Sequence, residues 1–199
     1  MERTLTTEAR RAQIVRAAIA TIAEVGYAKA SFARITASAG LSSPRMISYH
    51  FADKNDLLHQ IVIDIFTSAA EFMTPRIEAE QTAAGRLRAY VEANLAFLRD
   101  HPLEISALTE LGPHLRSAGG EGYTGTDTQD FSVGHLTEML TAGQRSGEFR
   151  DFDARSMAVI IRSTIDAAAQ RVRDGSDVDL DTYTREAVMV VDLAVRKEA

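Results

Sequence analysis

Helical periodicity, interrupted by glycines and helix-capping residues, is the feature that most constrains how this chain of 199 residues can fold. Apolar side chains recur three or four positions apart almost throughout, and no stretch shows the alternation of a half-buried strand. Caps and glycines divide the pattern into three helices at the front and six beyond. The predicted helices cover about residues 7–25, 31–39, 44–51, 53–80, 83–100, 102–112, 128–146, 153–174 and 181–197. The sequence therefore predicts an all-α fold.

Composition excludes several classes of protein and site. The chain has no cysteine, which rules out disulfides, thiolate-bound metals and cysteine nucleophiles. The first twelve residues are polar and carry charges of both signs, so they lack the apolar core of a signal peptide. No apolar run approaches the roughly 20 residues of a membrane span. We expect a cytoplasmic protein with no membrane partner.

Charge is distributed unevenly along the chain. Residues 1–54 hold eight Lys or Arg against four Asp or Glu, whereas residues 55–199 hold 14 against 24. Chance can produce such an asymmetry, and a segment that faces nucleic acid produces it for a physical reason. The positive front segment is therefore a candidate region for contact with nucleic acid.

A helix-turn-helix pattern lies inside this positive segment. Two short amphipathic helices, Phe32–Ala39 and Pro44–Phe51, flank the corner Gly40-Leu41-Ser42, and glycine suits a tight turn that needs positive φ. In a DNA-binding protein the second, recognition helix enters the major groove, where an arginine such as Arg45 can donate two hydrogen bonds to guanine. The same corner also joins helices in proteins that never touch DNA, in which Tyr49 would be an ordinary surface residue.

These residues resemble the N-terminal domain of TetR-type (tetracycline-repressor-like) transcriptional regulators over about residues 8–60. The most specific part is Tyr49-His50-Phe51 followed by Lys54-Asn55-Asp56-Leu57. The resemblance implies a helix-turn-helix DNA-binding domain at residues 1–52 and a larger helical effector-binding and dimerisation domain at residues 53–199. It implies a homodimer that binds a palindromic operator in double-stranded DNA. It further implies a repressor that a small-molecule effector releases from the operator, with no cofactor.

One spacing departs from the family pattern. Gly40 to Phe51 is eleven residues, one more than usual, so one residue within 43–45 is extra and the register of base contacts depends on which it is. We predict that Ser43, Arg45 and Met46 face bases, although a methionine at helical spacing is also typical of a core. Hydroxyl, imidazole and ammonium groups can hold phosphates, and we predict that Ser31, Tyr49, His50 and Lys54 do so. The complete set predicted to bind DNA is Ser31, Ser43, Arg45, Met46, Ser48, Tyr49, His50 and Lys54.

Two apolar stripes near the end of the chain predict a dimer interface. Small and branched apolar side chains allow helices to pack closely, and two such helices from each subunit can form a four-helix interface. Burial within their own subunit is the alternative. The stripes are Met157, Ile161, Ile165, Ala168 and Val172, and Tyr183, Ala187, Val190, Val191 and Ala194.

An effector pocket needs apolar helices with scattered polar groups. The residues proposed for it could equally be plain core: Phe66, Phe72, Met73, Tyr90, Asn94, Phe97, Leu108, Leu111, Met139 and Arg162. A buried acid would favour a cationic or hydroxylated effector, because a buried charge needs a partner. The acids within these helices are Asp64, Glu71, Glu92 and Asp166.

Other motifs are weak. Residues 113–127 contain five Gly or Pro and are predicted to be a loop, so the G-x-G-x-x-G match at residues 120–125 lacks the strand and helix that a nucleotide site requires. His135 and Glu138 have a spacing that a metal could use, but no third ligand accompanies them, so no metal site is expected. The competing function is a helical small-molecule-binding protein or enzyme whose front helices only pack.

Overall fold

The structure, a computed structural model, describes the backbone of residues 2–117 and 125–197 and the side chains of residues 7–112, 114 and 132–197. This part of the chain is all-α, as predicted; it contains a single 3₁₀ turn at Tyr27–Lys29 and one isolated β-bridge. The helices are α1 Glu2–Val25, α2 Phe32–Ser38, α3 Arg45–His50, α4 Lys54–Glu78, α5 Ala83–Asp100, α6 Pro102–Ser117, α7 Gly125–Arg145, α8 Ala154–Arg173 and α9 Leu180–Val195.

Side-chain caps set three helix starts close to where the sequence predicts them. The hydroxyls of Ser31 and Thr82 accept hydrogen bonds from main-chain N–H groups three residues on, and the Asp153 carboxylate does the same for α8. Helix α9 begins one residue earlier than predicted, because Asp179 caps it. Asp179 satisfies two N–H groups at once, so the helix begins at Leu180.

Helix α6 continues through Gly112-Pro113, where the sequence predicted a helix end and a loop. A proline inside a helix removes one hydrogen bond and costs about 3 kcal/mol. Ala107 and Leu111 on the preceding turns are completely buried, and this packing outweighs the local cost. Of the predicted loop, residues 118–124, with most of the glycine motif, lie outside the described residues.

The chain divides into two compact units. Unit 1 comprises residues 1–68 and 102–125, and unit 2 comprises residues 69–101 and 126–199. The division falls within α4, whereas the domain boundary between residues 52 and 53 stays a prediction. In unit 1, α1 packs against α2, α3 and α6. Its core consists of Ile14, Val15, Ala17, Ala18, Ile19, Ile22, Ala30, Ile35, Ala39, Ile47, Phe51, Leu57, Leu58, Ile61, Val62, Ile65, Ala107 and Leu111.

Unit 2 is built around α5, which packs against both α8 and α9. Leu87, Val91 and Leu95 give α5 its buried side. The turn after α7 attaches to the end of α9 through a main-chain hydrogen bond of 3.0 Å from Arg150 N to Val195 O. In its described part, unit 2 is therefore held together by helix packing and this link, with no β-sheet.

Candidate nucleic-acid interface

Helix α3 is anchored in the core of unit 1 by one side only. Ile47 is buried in the core of unit 1, and so is Phe51, the residue that ends the helix. At most 1% of either residue is exposed. Arg45, Ser48 and Tyr49 are exposed, and the Tyr49 side chain reaches 83% exposure. A large aromatic side chain that gains nothing from burial is available for a partner. The helix thus presents a polar face that the fold itself does not use.

The corner before α3 forms as the sequence predicts. Gly40 has φ of 62°, a conformation that residues with a β-carbon rarely adopt. Pro44 already has helical dihedral angles, and Ser43 Oγ accepts a hydrogen bond of 3.2 Å from Arg45 N. Met46 is half-buried, and Ser42 Oγ donates to its sulfur at 3.4 Å. Which of Ser43, Arg45 and Met46 contact bases stays a prediction.

The residues predicted to hold phosphates lie around this face in different environments. Ser31 is exposed and caps α2, whereas His50 is half-buried and meets the Tyr49 ring edge-on at 5.1 Å. The ammonium of Lys54 lies 4.0 Å from the centre of the Tyr27 ring and donates to the Tyr27 carbonyl at 3.4 Å. Lys54 therefore also ties the start of α4 to the turn after α1, a role that the sequence did not predict.

Two pKa shifts follow from these environments. Burial lowers the pKa of His50 below its ordinary 6.5, and the positive charges of Arg11 and then Arg10 lower it further. Burial also lowers the pKa of Lys54. The His50 imidazole is therefore neutral at pH 7 in the free protein, and a nearby phosphate would favour its protonated form.

Sequence reasoning missed two exposed cations beside the Ser31 cap. Lys29 belongs to the 3₁₀ turn and Arg34 to the first turn of α2, and both side chains are exposed. Their spacing around a helix start is the signal that could have identified them, because basic groups and helix N-termini both favour phosphate. They add two exposed positive charges near the start of α2.

Three of the residues predicted for an effector pocket belong to unit 1. Leu111 is completely buried, and Phe66 and Leu108 are half-buried against the same core. All three pack as ordinary core residues there. Their role in binding a ligand stays a prediction.

The other predicted pocket residues belong to unit 2, where three of them form a polar cluster with Asp166. Arg162 donates to Asn94 Oδ1 at 3.1 Å and to Asp166 Oδ1 at 2.7 Å, and Asn94 donates to the Tyr90 carbonyl at 2.8 Å. Burial alone would lower the pKa of Arg162, but Asp166 and Tyr90 raise it overall. The cluster holds a permanent, paired charge.

An aromatic cluster in unit 2 contains Phe72, Phe97 and His101. The Phe97 and His101 rings stack at 4.1 Å, and the Phe72 ring meets Phe97 edge-on at 5.5 Å. The guanidinium of Arg76 lies 3.7 Å from the centre of the Phe72 ring. The two other predicted residues, Met73 and Met139, are half-buried. Quaternary ammonium groups bind to aromatic faces of this kind through cation–π interactions.

The buried acid that would favour a cationic effector is not found among the acids considered. Glu71 and Glu92 are exposed. Asp64 and Asp166 are half-buried, but they accept hydrogen bonds from Gln60 and Arg162. Within the residues whose side chains are described, no group of three or more acidic or His side chains could hold a metal.

The residues of the two predicted dimer stripes lie mostly on the inner sides of α8 and α9, and their role in a dimer interface stays a prediction. Ile161, Ile165 and Ala168 of α8, and Ala187 and Val191 of α9, are buried within their own chain. Met157, Val172, Tyr183 and Ala194 are half-buried, and Val190 alone of the two stripes is exposed. The sequence pattern found the inner side of both helices, because apolar residues continue round to a second face.

That second face carries the large exposed apolar residues found in the described part of unit 2. Val159 and Ile160 of α8 are 47% and 60% exposed, and Met189, Val190 and Leu193 of α9 are 49–60% exposed. Branched and long apolar side chains in such a group are the usual mark of a protein interface. We call these five residues the outer apolar face.

Comparison with known proteins decides the family. The sequence model of the bacterial regulatory proteins of the tetR family matches residues 14–61, from α1 into α4. The HTH-type transcriptional regulator BetI of Cronobacter sakazakii is 34% identical over 100 residues, so the chain spans about half (49%) of its length. The fatty acid metabolism regulator protein of Bacillus subtilis is 30% identical over 159 residues, which cover 77% of this chain and 78% of that one.

This chain belongs to the TetR family of bacterial regulatory proteins.

Solved structures agree with this TetR-family assignment. A transcriptional regulator from Saccharomonospora viridis, crystallised in complex with choline, superposes with a TM-score of 0.76 at 25% identity. The superposition covers 96% of this chain and 99% of that one. The predicted family and the predicted TetR-like fold are therefore confirmed. In the described helices of this chain, none is long and apolar enough to cross a membrane.

Proposed function

We propose that this chain is a sequence-specific DNA-binding regulator of transcription, a repressor that a small-molecule effector releases from its operator. The observation that supports it best is the arrangement of α3. Two buried side chains, Ile47 and Phe51, hold the helix, while Arg45, Ser48 and Tyr49 point away from the core. Arginine and short hydroxyl side chains on one outward face can recognise base edges. A bacterial operator lies in the cytoplasm, and we place the protein there.

A homodimer supplies the second recognition helix that a palindromic operator needs. We propose that the outer apolar face of α8 and α9 forms the interface, with Ile160 and Val190 as its most exposed members at 60% each. In a twofold dimer the same surface of each copy meets its partner. The two copies of α3 would then reach successive major grooves, about 34–36 Å apart.

For the effector we propose a quaternary ammonium compound, with choline as the compound to test. The relative from Saccharomonospora viridis binds choline, and in this chain the Phe72 ring, which meets Phe97 and His101, already has a cation over its face. The effector would displace Arg76 from the Phe72 ring. It can shift the protein away from DNA only by its preference for the DNA-free conformation.

The competing function, an enzyme or carrier whose front helices only pack, is less well supported. An enzyme has no need for an exposed Tyr49 or for exposed cations around the start of α2. The relatives found over the greater part of the chain are regulators.

Selection of bound duplexes from a random pool tests the function directly. We expect a palindromic site whose half-sites are centred about one helical turn apart. Affinity for unselected duplex should fall steeply with salt, because phosphate contacts release counterions. A pool with no enriched sequence after repeated selection would contradict the proposal.

The effector has a separate test. At fixed salt, saturating choline should lower the affinity for the selected duplex, while a Phe97→Leu variant should bind choline more weakly. Unchanged operator affinity at saturating choline would exclude choline as an effector and leave DNA recognition intact.

A further inference from the structure

The Arg11 side chain of α1 contacts α3, the Phe51 ring that follows α3, and α4. Its guanidinium donates to the main-chain carbonyl of His50, the last residue of α3, and to Gln60 Oε1 of α4 at 3.0 Å. It also lies over the Phe51 ring, 4.3 Å from the ring centre. Gln60 in turn donates to Asp64 at 2.7 Å, which fixes the orientation of its amide. Arg11 is half-buried, and both of its terminal nitrogens donate to these partners.

The neighbouring Gln13 makes the corresponding contact with α2. Its amide donates to the carbonyl of Ala39, which caps the end of that helix, at 2.7 Å. Arg10 donates to Gln13 Oε1 at 2.8 Å and orients it. Helix α1 therefore holds both helices of the helix-turn-helix by their carboxyl ends. A cation at a helix carboxyl end also interacts favourably with the helix dipole.

A helix of six residues is too short to hold its own orientation. At a rise of about 1.5 Å per residue, Ser43 lies roughly 10 Å along the axis from His50, so a tilt of about 10° around the His50 end moves Ser43 by roughly 1.8 Å. A hydrogen bond to a base edge does not survive that displacement, because donor and acceptor must stay within about 3.2 Å. Attraction between a cation and a phosphate varies far more gently with distance.

We propose that Arg11 is a positioning residue for base recognition, which sets the tilt of α3 and with it the sequence selectivity, without touching DNA. The proposal rests on the proposed DNA-binding function. The guanidinium is suited to the task because its planar fork can serve the His50 carbonyl and Gln60 at the same time. A lysine keeps the charge but has a single ammonium, which cannot reproduce this geometry.

The test compares Arg11→Lys with Arg16→Lys, the same change at an exposed arginine of the same helix. For each protein the dissociation constant is measured on the selected operator and on random duplex, over a series of salt concentrations. Selectivity is the ratio of the dissociation constant on random duplex to that on the operator. We expect Arg11→Lys to lower this ratio by about tenfold. Its random-duplex affinity should stay within about twofold of the wild type and its salt slope should not change. Arg16→Lys should leave the ratio as it is.

A loss of folded protein weakens both affinities alike and cancels in the ratio, so destabilisation alone does not imitate the expected result. Gln60→Leu provides a second variant that removes one acceptor of Arg11 and no charge. It should lower the ratio in the same direction by a smaller factor.

Three results would overturn the proposal: a wild-type ratio in Arg11→Lys, equal losses on operator and random duplex, or an Arg11→Gln variant whose salt slope falls while its ratio stays constant. The last result would make Arg11 a phosphate ligand. A wild-type protein with no preferred duplex would instead reject the proposed function, and the two failures are thus distinguishable.

Discussion

The ring of Phe149 lies against the Cα of Gly143, in the space that a β-carbon there would occupy. The chain turns back over α7 at this point, and the N–H groups of Glu148 and Phe149 both donate to the Gly143 carbonyl at 3.1 Å. Phe149 is 4% exposed as a result. Glycine is needed at position 143 for close approach and not for an unusual backbone angle.

Gly143→Ala should therefore destabilise the protein. The added methyl group must displace a buried ring, and over-packing of this kind costs about 1–3 kcal/mol. For a chain of this size that corresponds to a fall in Tm of roughly 2–4 °C per kcal/mol. Urea unfolding and thermal melts measure it.

Gly134→Ala in the same helix is the matched control. Nothing lies within 4 Å of a β-carbon at Gly134, so alanine should stabilise α7 by about 0.5–1 kcal/mol. Equal effects of the two substitutions would contradict the packing explanation.

Glu148 makes stability depend on pH. Its carboxylate accepts hydrogen bonds from Ala83 N and Ala84 N at the start of α5, which lower its pKa from the ordinary 4.5. Because the unfolded chain binds the proton more tightly, this stabilisation is complete above about pH 4.5 and is lost as the pH falls through the lower, folded-state pKa. Glu148→Gln should lower the free energy of unfolding at pH 7 more than at pH 3.

Thr82→Ala is the comparison for that measurement, because Thr82 caps the same helix end without a charge. It should cost about 0.5–2 kcal/mol at both pH values. If Glu148→Gln lowered the free energy of unfolding equally at both pH values, the carboxylate would act only as a neutral cap does.

Arg45→Ala should relax sequence preference. If Arg45 donates two hydrogen bonds to a guanine, its loss costs about 1–3 kcal/mol on the selected operator and little on a duplex with that base changed. Arg34→Ala removes an exposed cation beside Ser31 and should weaken binding to every duplex alike, with a salt slope reduced by about one. Equal losses of affinity from Arg45→Ala on both duplexes would contradict the role of Arg45 as a base-reading residue.

Operator affinity should rise as the pH falls from 8 to 5.5. The pKa of His50 is lowered in the free protein by burial, Arg11 and Arg10, and a phosphate near the imidazole would raise it again. The complex then binds a proton that the free protein lacks, so acid favours the complex. Fluorescence anisotropy across this range measures the slope, which His50→Gln should remove. If the pH dependence of operator affinity persisted in His50→Gln, a group other than His50 would take up the proton.

Ile160→Glu should convert a dimer to a monomer without unfolding it. Ile160 is 60% exposed in the single chain, so the charge costs little until a second copy covers it. Sedimentation equilibrium measures the mass, and circular dichroism verifies the fold. Leu103→Glu, at a residue with 51% exposure on α6, should leave the mass unchanged. A dimeric Ile160→Glu protein would place the interface elsewhere.

Local chemistry in the sequence predicted most of the helices. Ser31 and Asp153 cap helices at the expected positions, because a cap acts through N–H groups only two or three residues away. The same holds for Gly40 and its positive φ. The continuation of α6 past Pro113 could not be predicted in this way, since it depends on packing between α6 and α1, which are far apart in sequence.

The candidate site shows the same division. Ile47 and Phe51 lie four positions apart, and this helical spacing is a local signal for the inner side of α3. The contact between Lys54 and Tyr27 joins residues 27 positions apart and has no sequence signal. In α8 the apolar pattern surrounds more than half of the helix, so periodicity alone could not separate buried Ile161 from exposed Ile160.

Within α3 only Ile47 is fully buried. Arg45, Ser48 and Tyr49 can be replaced without disturbing the hydrophobic interior, which separates the requirements of folding from those of target choice. If the outward residues of α3 choose the operator, as we propose, a duplicated copy of such a gene could acquire a new set of controlled promoters by exchanging surface residues alone. The scaffold would pass from one copy to the next almost unaltered.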